Sequence, residues 1–140
     1  MKKEKSVASV VLTHIVTTSI VIPFFGLFVG YFISKFLGAS LEPTLLIILK
    51  DIVFILIFFL GVKYSLSQID KRIDVKHPLK CSKYSIIVFG LLVLLVLGIN
   101  VWSNFSIIAM VYAVIYYGII FGVFLMLTRK YFKNLKAVEA

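Results

Sequence analysis

A lysine and an aspartate stand side by side at positions 50 and 51, in a run from Thr44 to Val62 that carries no other charge. An ionisable residue inside a membrane span costs at least ~2.5 kcal/mol at the helix centre unless it is relieved, so such a pair marks either an ion or proton path or a hydrogen-bonded contact. Adjacent residues of a helix point about 100° apart, which makes Lys50 and Asp51 poor partners for each other. Lys50 can lead its ammonium toward the surface along its flexible stem. Asp51 is too short for that; it is expected to meet a Thr, Ser or Tyr hydroxyl of a neighbouring helix, or a lysine across a subunit interface. His14, among Thr13, Thr17 and Thr18, is the third intramembrane polar candidate. A histidine there could relay protons, but a lone one among threonines is expected to bind neighbouring helices together.

Other chemistry is not indicated. His77 and Cys81 are four apart, but Pro78 intervenes and no further ligands are near, so neither a metal site nor a cofactor is expected. Paired carboxylates, a nucleophile with its base and a phosphate-binding glycine loop are missing from the sequence, which points away from catalysis. Cys81 is the only cysteine, so the chain has no internal disulfide.

Small residues recur at intervals of four. Gly26, Gly30 and Ser34 form one stripe, with Gly38 beyond it, and Gly118 with Gly122 forms another. This spacing lets helix backbones approach closely where lipid removes the hydrophobic drive for association. The plural stripes lead to the expectation of a homo-oligomer in addition to packing within one bundle.

The elements that position these residues follow from composition. The chain is 61% hydrophobic and 15% charged over 140 residues, far from the ~25% charged residues of a soluble domain. Spanning helices need roughly 20 apolar residues, and the sequence predicts an all-α integral membrane protein, a four-helix bundle with helices at about 7–36, 41–66, 82–102 and 104–133. Ser40 and Ser82 are expected to cap the second and third helices, Pro78 to end any preceding helix, and Pro23 to bend the first. Thr13, His14, Thr17, Thr18 and Ser19 make the start of that helix polar, and they are expected to face other helices.

Charge sets the topology. Thirteen of the fifteen basic residues lie in the head, in the loop after the second helix or in the tail, and subtracting Glu4, Asp70, Asp74 and Glu139 leaves +9 on that side. The positive-inside rule then places both termini in the cytoplasm. The basic excess reads as orientation signal and headgroup attraction, not as a nucleic-acid surface. Lys71, Arg72, Lys76 and Lys80 of the loop, with Arg129 and Lys130 of the tail, are the expected contacts for lipid headgroups or a cytoplasmic protein.

In size and topology the chain is similar to small four-span bacterial families. The membrane-embedded glutamate of the small multidrug exporters has no counterpart in the first helix, and "FFLGVKYSL" stands where the GtrA-like polyprenyl-sugar flippases carry an asparagine. The function expected from the residues is a non-catalytic, self-associating protein of the bacterial inner membrane that anchors, senses for or scaffolds a cytoplasmic partner, as in a stress-response or phage-defence complex. The alternative is a small oligomeric channel, a transporter or a lipid-carrier flippase.

Overall fold

The computed structural model describes residues 1–103 and 106–139, with side chains through Leu135. Among the described residues four helices are long and apolar enough to cross a membrane, which makes this a multi-pass membrane protein. They are α1 (Val7–Leu37), α2 (Pro43–Arg72), α3 (Pro78–Ser103) and α4 (Ile107–Glu139).

Local chemistry explains most boundaries. Ser6 caps α1, its Oγ accepting from the Ser9 N–H at 3.3 Å. Pro43 and Pro78 each open a helix, because a first-turn residue has no intrahelical carbonyl to reach and a missing N–H costs little. The expectation that Pro78 closes a helix is therefore reversed. Ser82 lies buried inside α3 instead of capping it, and the residue before α2 is Glu42, not Ser40, with no side-chain cap. Helix α2 runs to Arg72, six residues past the expected end, and Ile73 stops it by turning extended at φ −123° and ψ 131°. Asn104 and Phe105, expected in the hairpin between the last two spans, lie outside the described residues.

Helix α1 is interrupted. Residues Thr17–Val21 form a single π-helical turn in which the Ile22 N–H reaches the Thr17 carbonyl, five residues back. Pro23 follows at once and has no N–H to offer the Ser19 carbonyl, so the widened turn accommodates the proline. The neighbouring threonines bond backward along their own helix, Thr13 to the Ser9 carbonyl, Thr17 to that of Thr13 and Thr18 to that of His14, each at 2.8 Å. Thr18 is buried while Thr13 and Thr17 are half-buried, so these hydroxyls serve the bent helix itself.

The π turn also divides the packing. Val7–Val16 lies against α3 and, to a lesser extent, α2, whereas Ile22–Leu37 lies against α2. Helices α3 and α4 form the most extensive pair. The two halves of α1 thus choose different neighbours, and a space opens between its second half and α3.

Both termini gather at one end, the terminal end. Lys3–Glu4 pairs in parallel with Ile73–Asp74, a short addition to the helical architecture. The Lys76 ammonium meets the Glu4 carboxylate at 2.8 Å, and this bond raises the lysine pKa. At the same end the Tyr131 hydroxyl donates to Asp70 at 3.1 Å. The buried core extends from this end to about mid-bundle, with Val10, Val62, Leu66, Ile69, Ile73, Val75, Cys81 and Phe132 all sealed.

Candidate functional site

Rings from all four helices meet at the middle of the bundle. His14 of α1 stacks on Phe124 of α4 with centroids 4.9 Å apart, Phe124 stacks on Phe89 of α3 at 3.9 Å, and Phe89 stacks on Phe58 of α2 at 5.7 Å. All four side chains are buried. Stacked rings of this kind bury large apolar area, so the layer is both a packing centre and a seal.

His14 is fixed in that layer by two hydroxyls. Its Nδ1 lies 2.7 Å from Ser65 Oγ of α2 and its Nε2 lies 3.0 Å from Thr128 Oγ1 of α4. A hydroxyl can donate or accept, so the pair complements either imidazole tautomer. The histidine joins three helices, the interhelical bridge expected from its sequence context.

On the distal side of this layer is a cleft of about 740 Å³, lined by all four helices. Phe58 and Phe89 reach it from the ring layer, and Leu27, Leu92, Val93, Val96 and Ile120 continue its apolar wall. The polar lining is Lys50, Asp51, Tyr116, Tyr117, Ser34 and Tyr31, with Thr18 and Ser19 from the π turn. The volume and the few polar groups on an apolar surface are those of a ligand site. The Ser19 hydroxyl is buried with no hydrogen-bond partner, an orphan that a guest or a water could satisfy.

The sequence-marked residues divide around this cleft. Asp51 accepts a hydrogen bond from the Tyr112 hydroxyl of α4, the neighbouring-helix hydroxyl expected for it. Tyr112 in turn stacks against Tyr116 at 6.4 Å, so the carboxylate stands on a tyrosine wall. On the other side of that wall a second space of about 720 Å³ is lined by Asp51, Asn100, Tyr112 and Thr44 among others. Lys50 forms no ion pair among the described residues, where the only pair within 4.0 Å joins Lys76 to Glu4. Lys50 is half-buried and stands seven residues after Pro43, in the distal half of α2.

The glycines differ among themselves. A methyl group on Gly26 would stand 2.5 Å from Phe54 Cδ2, so this glycine lets α1 and α2 of one chain close on each other. Gly30 leaves room for the Lys50 stem, whose Cδ would be 3.9 Å from an added Cβ, and Ser34 continues the same face along the cleft. Gly118 and Gly122 are exposed, with nothing within 4 Å of an added Cβ. Gly61, against which Ile22 packs, is a second close approach of α1 and α2.

The basic residues sit at the terminal end. Lys71, Arg72, Lys80, Arg129 and Lys130 are exposed there, while Lys76 is engaged by Glu4. Neither the ring layer nor the cleft is marked in the sequence. Phenylalanines at 58, 89 and 124 carry no local signal, because their meeting depends on the register of three helices. The cleft depends on the π turn, whose cues in the sequence were the threonine run and Pro23.

Comparison of the chain with protein-family models, with curated proteins and with solved structures finds no match.

Proposed function

We propose that this protein is a small carrier of the bacterial inner membrane that admits an amphipathic molecule from the bilayer into its distal cleft. The observation that supports this most is the pairing of a ligand-sized cleft with a sealed layer beneath it: about 740 Å³ of mostly apolar lining above His14, Phe58, Phe89 and Phe124. A site open on one side of a seal is the arrangement that a carrier needs, since a continuous hole would conduct. With both termini in the cytoplasm, as the positive-inside rule directs, the cleft belongs to the outer leaflet. The two halves of α1 pack chiefly on different helices, so its second half can shift along α2 while the first half keeps its seat on α3.

The test is lipid translocation in proteoliposomes. Fluorescent NBD-labelled phosphatidylglycerol and phosphatidylcholine are loaded into both leaflets and dithionite bleaches the accessible leaflet. The expected result is faster loss of the protected signal for at least one probe than in vesicles without protein, slowed by Leu92→Trp, which adds bulk at a half-buried position of the cleft wall. Equal rates with and without protein for both probes would contradict the carrier reading.

A second reading, a self-associating anchor for a cytoplasmic protein, draws on the exposed Gly118 and Gly122 on α4 and on the exposed basic residues of the terminal end. It expects cysteines substituted at Gly118 to cross-link two copies, and Lys71→Glu with Arg72→Glu to release a copurifying protein. Monomers with no copurifying protein would contradict it.

A further inference from the structure

The carrier reading leaves the chemical class of the guest open, and the ammonium of Lys50 in the cleft lining narrows it. Lys50 lies on α2 facing Gly30, which has no side chain to crowd the lysine stem, and it lines the cleft. Its neighbour Asp51 also lines the cleft, but that carboxylate is engaged by the Tyr112 hydroxyl. No carboxylate lies within 4.0 Å of the Lys50 ammonium among the described residues. On the α1 side Ser34 and Tyr31 add hydroxyl donors to the lining, while Phe58, Phe89, Leu92 and Ile120 give it apolar surface.

Resting on the carrier reading, we propose that the cleft binds a phospholipid with a net anionic headgroup, Lys50 contacting the headgroup phosphate and the apolar wall holding an acyl chain. An inorganic anion would lose most of its hydration against that wall and gain a single cation, so free phosphate is a poor match. A neutral hydrocarbon would fill the wall and leave the ammonium without a counter-charge. A zwitterionic lipid brings its own cation to the site and competes with Lys50 for its own phosphate. An anionic amphiphile satisfies both parts of the lining at once, and a membrane supplies it at the right depth. Lysine suits this role as a mobile point charge, able to follow a headgroup that moves.

The experiment uses the full chain in nanodiscs and a phosphatidylglycerol probe with a photoreactive group in its acyl chain, adducts being mapped by peptide mass spectrometry. The expected adducts fall on half-buried cleft residues such as Phe54, Leu92 and Val93. Unlabelled phosphatidylglycerol should compete for them about tenfold better than phosphatidylcholine with the same chains, the ratio of a single charge-assisted contact. Lys50→Gln should remove that preference while cleft adducts persist, and Lys50→Arg should keep it. Competition in the unsubstituted chain reads the preference without depending on either variant. Equal competition by the two lipids, or an unchanged preference in Lys50→Gln, would overturn the anionic assignment and leave the carrier reading standing. Adducts confined to the lipid-facing surface and the basic terminal end, with none in the cleft, would overturn both.

Discussion

His14 and Phe89 carry the largest residue-scale consequences. Replacing His14 with Leu leaves Ser65 and Thr128 facing each other's empty partner, and interhelical hydrogen bonds in membranes average ~0.6 kcal/mol each, so a loss of about 1 kcal/mol is expected. Phe89→Ala removes the ring shared by Phe58 and Phe124 and should cost about 3–5 kcal/mol, the range for a buried aromatic cut to alanine. Thermal unfolding in mild detergent measures both, and the account requires the larger drop for Phe89. Tyr112→Phe strips Asp51 of its hydroxyl donor and should destabilise the chain, whereas Asp51→Asn keeps an acceptor and should do so less. The polar contacts of His14 and Asp51 were legible in the sequence because a buried polar group in lipid has few ways to be satisfied. The partner of Lys76 was not, since Glu4 reaches it only through a two-residue strand pair that brings together segments about seventy positions apart.

At the scale of elements, the division of α1 decides the architecture. The spans themselves were legible, because length and hydropathy suffice to identify a membrane helix. Their starts were less so: Pro78 ends or opens a helix depending on which side of it the chain turns, and the serines at 40 and 82 are plausible caps that the chain does not use. The glycine stripes gave the spacing without the neighbour. Gly26 and Gly61 are filled from within the same chain, by Phe54 and Ile22, so Gly26→Leu or Gly61→Leu should destabilise the bundle by about 1–3 kcal/mol, the usual cost of overpacking. Gly118→Leu and Gly122→Leu meet open space and should leave the unfolding temperature of the single chain unchanged. A drop at Gly118 equal to that at Gly26 would show that the α4 face is covered after all. Gly30→Ala adds a methyl at ordinary contact distance from the Lys50 stem and should be tolerated by the fold.

For the whole molecule, the organising contrast is between a terminal end that is packed through and a distal half that is open between its helices. The buried core, the strand pair and the Glu4–Lys76 bond all belong to the first, and the cleft with Lys50 belongs to the second. Membrane residence and the four-helix count came from composition alone, while the contrast between the two ends came from helix register and the π turn, which no local pattern specifies. The central claim is that bilayer chains enter the cleft and stop at the ring layer. Trp102 is the only tryptophan, so Trp102→Phe gives a silent background for a single reporter. In that background Val93→Trp places the indole on the cleft wall and Phe124→Trp places it in the seal, and quenching by lipids brominated along their acyl chains reads which of them a lipid touches. The account predicts strong quenching at position 93 and little at 124. Absence of quenching at 93, or equal quenching at both positions, would contradict it.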